Sequence, residues 1–355
     1  MYEIGIKILN ILNDKGYEAY IVGGFARDYY MGYIGNDLDI CTNALPSEIK
    51  KIFNNIISDN SEYGVIKIKY CDKFIEIASF RKDISYKNRK PIIEFTNNIK
   101  EDLLRRDFRM NTLCIDLNGN YIDFYGAIED INNKMIRMIG KSNRLTEDCL
   151  RMLRAIRFAT ILDFNLEIDI VTEIKENKEL LRLLSYNRKK DELDKIFNCL
   201  NCKKGIELLI EFDLENSLDL KNLKNINRNV FGLNVWSQLD CINYPFKKNE
   251  LKIISNIKKL LNEKIDKYSL YKYGQDLINS VYEIKGKNID VIEEYNNLVI
   301  YTKEDINIST NDLINFIDNK EISKVYKVLE KEIVNLNLVN QKQAIIDFLF
   351  DKNLK

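Results

Sequence analysis

Histidine is absent from all 355 residues. Its absence removes imidazole as a general acid or base, as a metal ligand, and as the partner of a serine or cysteine nucleophile. Net charge is missing too, since 54 Lys and Arg balance 54 Asp and Glu. The chain is no polycation, so any contact with nucleic acid has to come from local patches. Proline occurs three times, which reads as compositional bias. No apolar run is long enough to span a membrane, and Glu3, Lys7 and Asp14 make residues 1–16 unlike a signal peptide. The seven cysteines are scattered, and Cys199-x-x-Cys202 has no second pair to complete a zinc site. The two are expected on one helix face as small apolar residues. Reduced thiols and a cytoplasmic location follow.

What is present centres on Tyr20–Ile40, YIVGGFARDYYMGYIGNDLDI. It reads as a short apolar strand, a double-glycine turn, an Arg-Asp pair opening a helix, and then Asp37-Leu38-Asp39. Alternation along a strand points Asp37 and Asp39 the same way. Two such carboxylates repel unless a cation lies between them, and hard oxygen ligands suit Mg²⁺. Gly23 and Gly24 allow close backbone approach, and their N–H groups can hold a phosphate. A lone DxD or a lone GG is weak. GG-x-x-R-D followed by D-x-D is far more specific, and points to metal-assisted nucleotidyl transfer.

Around that stretch, helical spacing predicts a first helix ending near Gly16. Strands are expected at Ala19–Val22, Leu38–Ile40, Val65–Tyr70, Phe74–Ser79 and Ile92–Thr96. A helix is expected from Pro46 through Ile57. Asn118-Gly119 marks a hairpin between Leu113–Leu117 and Tyr121–Tyr125. From Thr146, a plausible N-cap, helical periodicity takes over to the end. Gly232, Pro245 and Gly274 are its only punctuation.

Three further groups carry chemistry. Glu76 sits in a strand interior, either as a solvent-facing edge charge or as a third carboxylate near Asp37 and Asp39. Arg105-Arg106-Asp107 is either a solvated charge run or a guanidinium fork for phosphate or ribose oxygens, oriented by the aspartate. Asp148-x-x-Arg151 is either an intrahelical ion pair or a base reader. Cytosine and adenine both show an exocyclic amino donor beside a ring-nitrogen acceptor, which a carboxylate and a guanidinium complement. Uracil and guanine show the reverse and would be refused. Arg154 and Arg157 continue the helix, Arg157 as a triphosphate contact or a structural pin. Residues 221–270 hold ten Lys and Arg against four Asp and Glu, with Tyr244, Phe246 and Tyr268 interspersed. That is a solvated helix face or a patch that tracks RNA backbone by shape.

In this order the pieces resemble the class II CCA-adding tRNA nucleotidyltransferases of the DNA polymerase beta superfamily. The matching stretches are GGFARD (23–28), DLDICTNALPSEI (37–49), residues 62–83, RKPIIEF (89–95), DLLRRDFRMNTL (102–113), residues 122–140 and EDCLRMLRAIRFA (147–159). RKKDELDKIF (188–197) resembles the helix that braces the base-reading segment. The resemblance implies an α+β fold: a nucleotidyltransferase head with a mixed sheet and helices (1–137), then an all-helical neck for base recognition (138–204), a body (205–272) and a tRNA-binding tail (273–355). It implies template-independent addition of C, C and A to the 3′ end of tRNA from CTP and ATP, with contacts to the tRNA end and elbow. Asp37 and Asp39 would hold Mg²⁺, with Glu76 a third acidic group. Gly23, Gly24 and Arg27 would touch the nucleotide, and Arg106 with Asp107 would sit by ribose and triphosphate. Asp148 and Arg151 would read the base, and Arg154 and Arg157 would lie near it. Bacterial poly(A) polymerase shares the head and neck motifs, but its Gly-basic-basic-Phe signature is missing from Ile57–Ile66. CC-adding and A-adding relatives are further alternatives. The segment between Arg81 and Arg89 keeps the loop that CC-only enzymes shorten. A non-catalytic RNA-binding descendant is disfavoured because every candidate position is filled.

Overall fold

Ile8, Leu9 and Leu12 are buried along one side of α1 (Tyr2–Asn13), which ends before Gly16 at φ +86°. The structure, a computed structural model, describes residues 1–35, 37–87, 90–140, 144–314 and 317–352. They form two units, Met1–Asp219 and Leu220–Lys355.

In the first unit, β1 (Ala19–Val22), α2 (Gly24–Tyr30) and β2 (Leu38–Thr42) carry the central motif. After them come α3 (Pro46–Ile52), β3 (Ile56–Asn60), β4 (Val65–Tyr70) and β5 (Lys73–Ser79). Next are β6 (Arg81–Lys87), β7 (Lys90–Phe95), α4 (Ile99–Leu104), β8 (Cys114–Ile115) and β9 (Tyr121–Ile122). Seven strands make a mixed sheet in the order β3-β4-β5-β2-β1-β8-β9. The β2–β5 pair is parallel, and β1–β2 and β4–β5 are antiparallel. One register row therefore crosses four strands: Val22, Asp39, Glu76, Lys67. The apolar residues between these positions, Leu38, Ile40, Ile75, Ile77, Ile66 and Ile68, are buried on the other face. That alternation fixes the register and aims the polar row outward.

Two segments differ from the periodicity reading. The helix from Pro46 stops at Ile52, because Phe53 takes an extended conformation at φ −116°, ψ 122°. Ile56–Asn60 then pairs with β4 as an edge strand. Arg81–Lys87 is a strand as well, paired only with β7 in a separate two-stranded sheet. Its polar sequence lacks a buried stripe to reveal it. Arg89, where the expected loop ends, lies outside the described residues.

The chain continues through α5 (Ala127–Asn132), β10 (Met135–Ile136), α6 (Arg144–Glu147), α7 (Leu150–Ile161), β11 (Asn165–Leu166), α8 (Ile168–Asn177), α9 (Tyr186–Phe197), α10 (Cys202–Glu211) and α11 (Glu215–Leu218). Thr146 is not a cap, since α6 begins before it at Arg144. Buried Met152, Leu153, Ala155, Ile156 and Ala159 face α7 into the core, and Leu193, Ile196 and Phe197 do the same for α9. Cys202 opens α10 while Cys199 lies in the preceding turn, so the two thiols do not share a helix face. Both are free.

The second unit is helical: α12 (Leu233–Trp236), α13 (Lys248–Leu261), α14 (Lys267–Tyr273), α15 (Gln275–Ile284), α16 (Val291–Asn296), α17 (Thr310–Ile314), α18 (Ile322–Val334) and α19 (Lys342–Asp351). Ile257, Ile278, Leu313, Leu329 and Ile345 belong to its core. Gly232 and Gly274 cap helices at φ +52° and +79°. Trp236 packs against Tyr244 and Phe246 at 5.0 and 5.2 Å between ring centroids. Tyr244 is buried, so this aromatic belongs to the core and not to an RNA-facing surface.

Candidate active site

The register row opens into a cavity of about 970 Å³. Asp37, Asp39, Glu76 and Lys67 line it, together with Gly23, Gly24, Arg27, Arg106, Asp107, Asp148, Arg151, Arg154 and Arg157. Every candidate residue named from sequence is thus on one wall or another of a single space.

Asp39 leaves β2 partly buried, whereas Asp37 precedes the strand and is exposed. Glu76, on β5, accepts in a cross-strand pair from Lys67, whose Nζ lies 3.2 Å from Oε1. Burial pushes the Asp39 carboxyl up to about 6; Arg106 opposes this, and the charges of Glu76 and Asp37 add to it. A buried carboxylate beside two more is a site with surplus negative charge. Among the described residues, no three acidic or sulfur side chains converge into a closed metal cage. An open set of hard carboxylate oxygens fits a divalent ion that completes its shell with water and phosphate oxygens.

Glycine is required at position 23. Its φ is +77°, and a Cβ there would lie 3.2 Å from Arg106 Nη1 and 3.5 Å from Asp39 Oδ2. At Gly24, the first residue of α2, a Cβ would meet only Arg27 Nη2 at 3.7 Å. The tight approach belongs to the first glycine alone.

Arginines surround the rest of the cavity, each with its own holder. Arg27 is buried; Nη1 donates to Asn111 Oδ1 at 2.6 Å, and Nε and Nη2 donate to Asp28 Oδ1 at 2.8 and 2.7 Å. Arg105 and Arg106 share the fully buried Asp102, at 2.8 and 3.4 Å. Arg106 keeps a buried Nε with no hydrogen-bond partner among the described residues. The adjacent Asp107 serves another arginine. Its Oδ2 accepts from Arg154 Nε at 2.8 Å and Nη2 at 2.6 Å, while Oδ1 accepts from Asn111 Nδ2 and the Phe108 amide. Burial opposes, and these partners outweigh it, so the Asp107 carboxyl is held below its usual range.

Asp148 and Arg151 lie where α6 gives way to α7. Asp148 occupies the bend between the helices and accepts from Arg188 Nη2 at 3.4 Å. Arg151 is buried, and its Nη1 donates to the Arg144 carbonyl at 3.0 Å and lies 3.6 Å from Glu147. Arg157 pairs with buried Glu192 at 3.1 Å, and burial lowers its guanidinium to about 10. Arg188 and Glu192 both come from α9, so the 188–197 helix braces the arginine face of α7.

Residues without a local sequence signal complete the wall: Asn111, Phe158 and Lys195. The Phe158 ring has three guanidiniums near it, Arg157 at 4.2 Å, Arg27 at 5.2 Å and Arg154 at 5.5 Å from the centroid. An i, i+4 pairing of Arg154 with Phe158 was the one hint available from spacing.

The family described as "Poly A polymerase head domain" matches residues 19–137. "Probable RNA and SrmB-binding site of polymerase A" matches 163–218, and "tRNA nucleotidyltransferase domain 2 putative" matches 242–349. The CCA-adding enzyme of Ligilactobacillus salivarius is 30% identical, across 98% of this chain and 95% of its own length. That of Bacillus subtilis is 29% identical, across 97% of this chain and 96% of its own. Among solved structures, the Bacillus stearothermophilus CCA-adding enzyme in complex with CTP superimposes with a TM-score of 0.86 at 26% identity, covering 99% of this chain and 97% of that one. A Thermotoga maritima CCA-adding enzyme complexed with tRNA shares the fold at TM-score 0.73 and 20% identity, covering 99% of this chain and 95% of that one. Thirty per cent identity with a curated relative, across 98% of this chain, places it in the family of CCA-adding enzymes, which are tRNA nucleotidyltransferases.

Proposed function

We propose that this chain adds C, C and A in turn to the 3′ end of tRNA, taking CTP and ATP and releasing pyrophosphate, in the cavity that holds Asp39. The observation that carries the reading is the meeting of the Asp39–Glu76 row with the Asp148–Arg151 segment in one space. Asp37 and Asp39 would hold Mg²⁺, with Glu76 the third acidic group. When bound, such ions lower the pKa of the attacking hydroxyl and neutralise the leaving pyrophosphate.

The chain's own residues bind and orient. Gly23 lets the triphosphate approach the backbone beside Arg106, whose Nη1 borders that glycine, and Gly24 opens α2 next to it. Arg27 and Arg154 add positive charge, and Asp107 fixes Arg154 in place. Arg157 takes the role of a pin through Glu192. Asp148 accepts from the exocyclic amino group of cytosine or adenine, and Arg151 donates to the neighbouring ring nitrogen. Uracil and guanine meet like against like and are refused without any template. Catalysis is positioning and charge stabilisation. The sequence between Arg81 and Arg89 keeps the loop expected of an enzyme that adds all three nucleotides.

Within the two units, we divide the chain into head 1–137, neck 138–204, body 205–272 and tail 273–355. The lysine-rich 221–270 stretch tracks the tRNA elbow, so affinity for tRNA falls steeply with salt. Seven cysteines outside any disulfide suit a reducing, cytoplasmic setting.

The test supplies tRNA lacking its terminal CCA with CTP, ATP or both, and sequences the product ends. Addition of CC with CTP and of CCA with both is expected. Runs of A would return the poly(A) reading. Asp37→Ala should abolish incorporation while tRNA binding persists; turnover in that variant would refute the carboxylate assignment.

A further inference from the structure

Phe74 is 56% exposed near the start of β5, a strand whose isoleucines, Ile75 and Ile77, are fully buried. Alternation puts its ring on the face that carries Glu76. The neighbouring strand continues the pattern. Lys67 is the register partner of Glu76, and Lys69 that of Phe74. Phe74 lines the same cavity as Asp39, Glu76 and Lys67. An open aromatic ring and two lysines thus stand around Glu76 on the β5–β4 side of the carboxylate row.

That row has a direction. Gly23 and Arg106 border Asp39 on the β1 side. Glu76 and Lys67 belong to β5 and β4, on the opposite side of β2. In-line displacement sets the attacking hydroxyl opposite the leaving group. With the triphosphate held beside Gly23 and Arg106, the hydroxyl arrives over β5 and β4. The molecule that brings it is single-stranded RNA, whose bases stack on aromatic faces and whose backbone is drawn by lysine. Among the described residues, Lys67 and Lys69 are engaged only in exposed pairs, with Glu76 at 3.2 Å and Asp72 at 2.9 Å. Pairs of that kind are weak and exchange readily for a phosphate.

We propose that Phe74 is the stacking seat for the last base of the acceptor RNA, with Lys67 and Lys69 beside its backbone phosphate. The proposal rests on the CCA-addition reading and concerns the acceptor, not the incoming nucleotide. Its test compares wild type, Phe74→Ala and Phe74→Trp in the full chain, with CTP and a tRNA transcript that ends just before CCA. Phe74→Ala is expected to raise the acceptor KM by about tenfold or more. The KM for CTP should stay unchanged, which also reports an intact fold, and Phe74→Trp should restore the acceptor KM. A 2-aminopurine at the last acceptor position should be quenched on binding wild type and stay bright on Phe74→Ala. An acceptor KM or a quenching equal in wild type and Phe74→Ala overturns the proposal. Should wild type transfer no CMP at all, the function reading falls instead, and the quenching comparison still decides whether the ring holds the base.

Discussion

Asp107 grips Arg154 through both Nε and Nη2, at 2.8 and 2.6 Å. The aspartate follows the arginine pair after α4, and the arginine projects from α7. Since Asp107 also accepts from Asn111, which in turn holds Arg27, one carboxylate orders two of the cavity's guanidiniums. Removing it strands partly buried cations. Asp107→Ala is expected to lower stability by about 2–3 kcal/mol, read from the urea midpoint, and to depress kcat/KM for both nucleotides. Asp107→Asn keeps an acceptor and should lose less.

Base choice is expected to follow Arg151. Arg151→Ala should erode the preference for CTP and ATP over UTP and GTP by about 100-fold or more, because a site built on paired polar groups rejects mismatches strongly. Competition assays with all four nucleotides measure it. Arg188→Ala loosens Asp148 without touching the base, so its loss should be smaller. An unchanged preference in Arg151→Ala removes the base-reading role.

The ionisation of Asp39 gives a stability signature. Its carboxyl rises from 3.8 to about 6 on folding. Between those values the folded chain binds more protons than the unfolded one, so stability falls as pH rises. The penalty is absent below pH 3.8 and complete above about pH 6. In EDTA, Asp39→Asn should therefore melt a few degrees above wild type at pH 8, with the gap closing toward pH 4. Added Mg²⁺ should raise the wild-type midpoint at pH 8 and leave the variant nearly unmoved. A gap independent of pH would contradict the assignment.

Phe158 offers its ring to Arg157, Arg27 and Arg154, all within 5.5 Å of the centroid. Such contacts contribute about 0.5–2 kcal/mol each. Phe158→Leu keeps apolar bulk and removes the π face. The KM for nucleotides should rise about tenfold, with thermal stability nearly preserved and Phe158→Tyr close to wild type. Equal kinetics in the leucine and tyrosine variants would mean that the ring only fills space.

Strands were legible wherever one face is buried. Ala19–Val22 and Val65–Tyr70 fall at the expected residues because their alternation reflects a real inside and outside. Ile56–Asn60 and Arg81–Lys87 escaped because edge and two-stranded partners ask for little burial. Asp148 and Arg151 were paired by helical spacing. The chain bends at Asp148, and the carboxylate's partner Arg188 comes from another helix. Spacing likewise suggested that Asp107 orients Arg106. Asp102 pairs with Arg106 instead, and Asp107 reaches across to α7.

The sequence by itself determined the kind of chemistry. Without histidine, and with acidic residues two apart after a double glycine, it could offer carboxylate oxygens and guanidiniums to a metal and a phosphate. Those are properties of residue type and local spacing, which the chain carries before it folds. Only the tertiary structure decided which carboxylate serves which arginine, that Asp39 is partly buried beside Glu76, and that Phe74 stands open on the same face as Glu76. Burial and charge pairing depend on distances between segments remote in sequence, and packing alone sets those distances.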